Sequence, residues 1–376
     1  LNDSVARISA GAPLLIRRSR GYVPLPILLQ GTFIKRDILA MGGDLKACFA
    51  LAGEDRVYPS QYFGDMENPA VQELFIQTIR RMEELLGIRP EVVVTDLHPG
   101  YETGALARRL FGDREILSFQ HHHAHVASVM AEYGLKSCIG VAYDGTGYGK
   151  DGTIWGGEFL FCRGREMERV AHLESIPFCG GNEGAKNARL ALQSYRYAAG
   201  FSVNDPLVRE ALRQGIGTVK TSSMGRFFDA VSALLGICAY NHYEGECPTA
   251  LEAAARRYRG EGYDLGGMEI DPDGRVDVRN YIRRLTEAAE AGVSAACLAW
   301  QFHQDLADMT AESCERIRRD KGENAVCLSG GVFVNRVLLE TCVQKLKERR
   351  FDVYWNRQVP CGDGGICLGQ AWLAAR

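Results

Sequence analysis

The chain has 376 residues, 46% of them hydrophobic and 24% charged, which is ordinary for a globular protein with a real core and long enough for two domains. A net charge of −3 leaves no electrostatic footprint for nucleic acid or an anionic membrane, and no apolar run is long enough to span a bilayer. Twelve cysteines are scattered, mostly within apolar stretches (Cys138, Cys162, Cys238, Cys297, Cys314, Cys327), without a CxxC pair. That usage excludes a disulfide framework or zinc ribbon and predicts free thiols in a reducing compartment, the cytoplasm. The sequence starts at Leu1, with neither a methionine nor an export signal, so a longer parent chain is an open expectation.

In chain order, residues 1–26 hold two strand-like runs, then "RRSR", then a proline-rich exit. Residues 36–63 alternate in the manner of a hairpin. The segment "NPAVQELFIQTIRRMEELLG" carries Val71, Leu74, Phe75, Ile79, Met82 and Leu86 at helical spacing behind an Asn68-Pro69 start. "PEVVVTD" is a short buried strand that passes through "LHPGYETG" into a helix, and "EILSF" is a further strand. A second half begins near residue 137. There "CIGVAYDGTGYGKDGTIWGGEFLF" reads as strand, glycine-rich turn, strand, followed by a largely helical stretch from 186 to about 259. "AVCLSGGVFVNRVLLETCVQKLKE" is strand, Gly-Gly, helix; "FDVYWN" is a strand; and "VPCGDGGICLGQAWLAA" is a glycine loop feeding the last helix. Each half opens with an antiparallel hairpin and then alternates strands with helices. This is a two-lobed α/β plan with its ligand expected between the lobes.

Four of the eight histidines fall within "QHHHAH" directly after a predicted strand. His121 and His125, four apart on a helix, can grip one ion; His122 with His125 is the three-apart alternative. Two imidazoles rarely complete a site, so carboxylates must come from elsewhere. Asp144 opens "DGTGYG", where Gly145, Thr146 and Gly147 suit a tight backbone turn that offers N–H groups to phosphate; the plain alternative is a hairpin turn. Asp363 lies in "CGDGG", where the plain alternative is a loop before a helix. Two histidines and two aspartates would make an N2O2 shell suited to iron or zinc, with room for a substrate oxygen. "SGGVFVN" leaves a buried strand and opens a helix. Gly330 and Gly331 allow a flat ring close, and the amide of Asn335 could read a base edge. "FCGGN", with Gly180, Gly181 and Asn182, is a second turn of this style. Neither a Rossmann fingerprint nor a P-loop is present. The arginines 17, 18 and 20 of "RRSR" read as a solvated edge, with guidance of an anionic intermediate as the alternative. No nucleophile emerges from spacing, which suits a nucleophile supplied by the substrate.

Taken together, "QHHHAHVAS", "DGTGYG…WGGE", "SSMGRFFDAVSALLGIC", "YEGE", "LSGGVFVNRVLLE" and "PCGDGGICLGQA" resemble, in order and spacing, the HypF family of hydrogenase maturation proteins. The resemblance implies an α/β fold of the two-lobed actin/acetate-kinase/Hsp70-like (ASKHA) type, similar to the tRNA threonylcarbamoyl-transferase. It also implies a short β remnant of a YrdC-like domain over residues 1–26, an N-terminal lobe over 27–136 and a C-terminal lobe over 137–376. The implied reaction is transfer of a carbamoyl group from carbamoyl-adenylate, made from ATP in the YrdC-like domain, to the C-terminal cysteine of the partner HypE. That is a step toward the cyanide ligands of the nickel–iron centre. His121, His125, Asp144 and Asp363 take the positions of the family's metal ligands, for iron or zinc with magnesium as a further candidate. Gly145 to Gly147, Gly180 to Asn182 and Gly330 to Asn335 take those of its nucleotide loops. The chain departs from the family where Asn182 replaces an aspartate and "KNAR" replaces a "PWR" after Ala185.

Overall fold

The computed structural model describes residues 2–376, apart from the side chain of Asn182. Two sheets form the framework. In the N-terminal one, the strand Ile34–Ala40 pairs antiparallel with Ala50–Glu54, which pairs antiparallel with Arg56–Pro59; on its other side Ile34–Ala40 runs parallel to Val92–Asp96, and that to Glu115–Phe119. The C-terminal sheet repeats this plan. Ser137–Tyr148 pairs antiparallel with Ile154–Arg163, which pairs with Glu166–Leu173; on the other side Ser137–Tyr148 runs parallel to Ala325–Ser329, and that to Asp352–Trp355. The two-lobed α/β plan predicted from the alternation of elements is therefore the observed one.

The local causes match the sequence in most places. Helix Pro69–Leu86 starts where Asn68 caps the amide of Ala70 and stops at Gly87 in the left-handed conformation, burying Phe75, Ile79 and Met82. Leu74 points outward instead. The strand Val92–Asp96 is buried along its whole length, as its unbroken apolar run requires. One expectation fails. The glycine-rich stretch beginning at Asp144 is not the turn between two strands; it lies inside the strand Ser137–Tyr148. The pairing jumps there from Tyr143↔Gly157 to Gly147↔Trp155, so three residues face one. The true turn follows, with Gly149 N–H bonded to the carbonyl of Thr153 and Gly152 at φ +75°. Asp144 to Thr146 form a bulge, a device that re-aims side chains at a sheet rim.

Helix His121–Tyr133 lies between the lobes. Every residue from His121 to Glu132 is buried. It packs against helix Ile366–Ala374 so closely that a Cβ on Gly369 would meet the backbone of Ala124 and the amide of Ser128, and against the strand Ser137–Tyr148 so closely that a Cβ on Gly140 would meet Val126. The "RRSR" segment is not a solvated edge throughout. Arg18 is buried and donates to the carbonyls of Pro59, Tyr22 and Leu25; Arg17 stacks on Tyr62, and Arg20 pairs with Asp3. The preceding hairpin, Val5–Ser9 with Ala12–Arg17, sits on the other lobe: Arg7 reaches Glu252 at 2.9 Å and Leu14 enters that lobe's core.

Glu132 fastens the loop ahead of the last helix. Its carboxylate accepts from the backbone amides of Arg357 (2.8 Å), Gln358 (3.1 Å) and Val359 (3.1 Å). Burial raises its pKa to about 7 against the pull of those amides. Glu132→Ala leaves buried N–H groups without acceptors, and urea denaturation should show a loss of about 3 kcal/mol.

Candidate metal and transfer site

The side chains at the centre come from the start of one helix, a bulge within a strand and the turn ahead of the last helix. His121 and His125 lie one turn apart on the buried helix, whose N-terminus is capped by the side-chain oxygen of Gln120, which accepts from His123 N–H. Asp144 comes from the bulge, and Asp363 from the single 3-10 turn before the last helix. The structure brings these four together. His121 Nε2 lies 3.3 Å and His125 Nε2 3.8 Å from Asp144 Oδ2; to Asp363 Oδ1 the distances are 3.9 and 3.7 Å. One ligand atom from each of the four lies within 4.8 Å of the others. Among the described residues both Nε2 atoms are buried without a hydrogen-bond partner, while the other ring nitrogen of His121 is bound to Asp96 Oδ2 at 2.7 Å. Two orphaned imidazole nitrogens and two carboxylate oxygens converging on one point fit a divalent cation of the borderline type, and a carboxylate behind a ligating histidine is the usual orienting arrangement. Of the two sequence pairings left open, His121/His125 is the one that converges with both aspartates. The ring of His122 is turned toward Gln120.

The buried charges act on one another. Burial disfavours a charged His121, yet Asp96 and Asp144 hold it well above the usual histidine range; burial and the neighbouring His121 push His122 well below it. Asp144, although buried, is held well below the carboxylate range by His121 and His125, whereas burial and Asp144 raise Asp363. A cation relieves both the carboxylate repulsion and the unpaired nitrogens.

The glycines surround this centre unequally. Gly331 N–H donates to Asp144 Oδ1 at 3.2 Å, leaving Oδ2 for the histidines. Gly330 has φ +103°, and a Cβ there would overlap the carbonyl of Tyr143. Gly145 is held by Ser223, whose hydroxyl donates to its carbonyl and also caps the helix Met224–Leu234. At Gly147 a Cβ would collide with the rings of His121 and His122. Thr146 lies in the same bulge. Gly180 (φ +114°) and Gly181 (φ +52°) open the short helix Gly181–Lys186, which Arg226 ties to the Ser223-capped helix through the carbonyl of Ala185. The side chain of Asn182 lies outside the described residues. The amide of Asn335 is largely engaged: its oxygen caps Leu338 N–H and its nitrogen meets His303 Nε2 at 2.9 Å. Only one of its N–H hydrogens is left for a base.

Two residues escaped the sequence reading. Asp96 ends the strand within "VVVTDLHPG", and its position at the end of a buried apolar run was the available signal. Lys46, in "GGDLK", pairs across the lobes with Glu244 at 2.6 Å. Although burial works against it, Asp363 and Glu244 raise its pKa, so it faces the centre as a cation.

Residues 34–132 match the family described as the HypF Kae1-like domain, and residues 140–370 match the carbamoyltransferase, Kae1-like domain, second subdomain. A carbamoyltransferase HypF homolog from Cupriavidus necator is 34% identical over 90% of this chain and 91% of its own length. The chain belongs to the HypF carbamoyltransferase family. HypF from Synechocystis is 34% identical over 98% of this chain, of which this chain covers 51%. The crystal structure of full-length HypF in the phosphate- and nucleotide-bound form superposes with a TM-score of 0.94 at 37% identity, covering 100% of this chain and 60% of that one. HypF of T. kodakarensis gives 0.92 at 34% identity, covering 100% and 51%. The chain thus spans about half the length of the Synechocystis relative.

Because Asp96 fixes the ring of His121, Asp96→Asn should weaken metal binding on the order of 10- to 100-fold. Competition with a chromophoric chelator would measure it, with the unfolding midpoint as the check on the fold.

Proposed function

We propose that this HypF-family chain carries out the transfer step of nickel–iron hydrogenase maturation. It moves a carbamoyl group from carbamoyl-adenylate to the C-terminal cysteine thiol of a HypE-type partner, toward the cyanide ligands. The observation that carries this reading is the buried His121, His125, Asp144 and Asp363 group, with unpartnered Nε2 atoms, set against the Gly331 amide and the Gly145 bulge. A near-superposable full-length HypF structure in a nucleotide-bound form supports a nucleotide as part of this reading.

His121, His125, Asp144 and Asp363 would hold iron or zinc, and magnesium would accompany the phosphates. When bound, the metal supplies a Lewis acid that stabilises charge on the departing phosphate. The chain's own residues do the rest. Gly331 N–H fixes Asp144, Asp96 fixes His121, and Lys46 adds positive charge where an adenylate phosphate would sit. An adenylate is already a good leaving group, so orientation and charge control suffice without a covalent enzyme intermediate. The thiol belongs to the partner. In this reading residues 1–26 are the end of a YrdC-like domain, with residues 27–136 and 137–376 as the two lobes. The upstream domain of the parent protein would make the adenylate in the cytoplasm. No helix among the described residues is long and apolar enough to cross a membrane, and neither membrane nor nucleic acid is a partner in this scheme.

Metal-loaded chain offered preformed carbamoyl-adenylate and a HypE-type protein ending in cysteine should add one carbamoyl group, read by mass spectrometry. His121→Ala with His125→Ala should lower the rate on the order of a hundredfold or more. Transfer to a small-molecule hydroxyl in place of the cysteine would overturn the choice of acceptor. Given ATP and carbamoyl phosphate alone, the chain should form no carbamoyl-adenylate; liquid chromatography of the nucleotide products checks this.

A further inference from the structure

His122 stands beside the four-residue centre yet belongs to none of its short contacts; its Nε2 is 4.0 Å from Asp144 Oδ2 and, although buried, has no hydrogen-bond partner among the described residues. The hydrogen on this ring can be located from its neighbours. The Gln120 side chain has its oxygen on His123 N–H (2.9 Å), so its other end is the amide NH2, which also donates to the carbonyl of Tyr148 (3.1 Å). That NH2 lies 3.1 Å from His122 Nδ1. Facing a donor, Nδ1 must be the acceptor, which leaves the hydrogen on Nε2. The ring is stacked on Trp155 at 6.4 Å and 25°, and the backbone of Gly147 is packed against its edge, so it cannot turn away. Trp155 is itself fixed by a bond from Nε1 to Asp151 (2.9 Å) and by Arg169 lying 4.1 Å over its face. A rigid, buried N–H donor with no acceptor is costly unless a guest supplies one.

We propose, building on the transfer reading above, that His122 Nε2–H is a catalytic hydrogen-bond donor to the carbonyl oxygen of the carbamoyl group. His121 and His125 offer lone pairs to a cation, whereas His122 offers hydrogen to an oxygen; neighbours in sequence have opposite roles. The partner's thiolate attacks the carbamoyl carbon, the C–S bond forms, and the C=O electron pair moves onto the oxygen that accepts from His122. The pair then returns, the C–O bond to phosphate breaks, and AMP leaves as the dianion. One negative charge on sulfur and one on the adenylate become the two on AMP. The charge on the carbamoyl oxygen exists only at the tetrahedral stage, so the donor acts on kcat.

The test compares wild type, His122→Leu and His122→Gln in the carbamoyl-adenylate to HypE-type cysteine assay, with rates normalised to bound metal measured by plasma mass spectrometry. Leucine should lower kcat about 10²- to 10³-fold at nearly constant KM. Glutamine, which can place an N–H near the same point, should recover at least tenfold of that loss. A rise in KM at unchanged kcat would mean that His122 holds a phosphate oxygen or the fold, and overturns the proposal; so does glutamine no better than leucine at equal unfolding midpoint. Nitrogen-15 NMR of histidine-labelled, metal-free wild type gives an independent decision. Nε2 should carry the hydrogen, and a protonated Nδ1 sinks the assignment. If wild type itself fails to transfer, the transfer reading falls, and the NMR result alone then tells whether His122 is the fixed donor.

Discussion

The contact on which the site depends is the crossing of helices His121–Tyr133 and Ile366–Ala374 at Gly369. A Cβ on Gly369 would strike the backbone of Ala124, so the helices approach to a distance that only glycine permits. That approach sets the gap between the histidines of one helix and Asp363, which immediately precedes the other. It also seals the histidine helix on every side. A helix buried all round is normally apolar, and burial of four imidazoles is tolerated only with partners. His121 has Asp96 and His122 has Gln120, and of the nitrogens left over the Nε2 atoms of His121 and His125 face Asp144 and Asp363 together. That part of the unmet polar demand is local and directed, which is the physical description of a cation site.

Electrostatics and backbone geometry reinforce each other around that point. Asp144 divides its carboxylate: Oδ1 takes the Gly331 amide, and Oδ2 faces His121 and His125. The bulge makes this division feasible, because a regular strand at Asp144 would present its side chain by strict alternation. The position of Asp363 depends on Glu132, which ties three consecutive amides of the preceding loop to the histidine helix. One buried helix thus supplies two candidate ligands, the anchor for the loop carrying another, and the proposed donor to the substrate.

The lobes are joined at two further places. Lys46 and Glu244 meet across the cleft. The N-terminal hairpin bonds to one lobe through Arg7 and to the other through Arg18, which lies just beyond its second strand. Arg18 gives both terminal nitrogens of its guanidinium to three carbonyls, so the segment that resembled a solvated basic edge is a structural pin. A buried arginine persists only where such acceptors absorb its charge.

The sequence determined a good deal alone. The period-two and helical patterns gave both lobes, the helix behind Asn68-Pro69 and the buried strand Val92–Asp96, because those signals depend on residues adjacent in the chain. Family motifs pointed to His121, His125, Asp144 and Asp363. The sequence misplaced the turn of the second half, since Asp-Gly favours hairpins and nothing local distinguishes a hairpin from a bulge inside a longer strand. The roles of Asp96 and Lys46 could not be read locally because their meaning lies in partners 25 and 198 residues away. Asn335 looked like an amide free to read a base until its cap and His303 were in place. Residue types and local propensity are written along the chain. Which nitrogen is left unpaired, and what stands 4 Å from it, is decided only when two helices and two sheets close on one another, because burial removes the water that would otherwise satisfy every polar group.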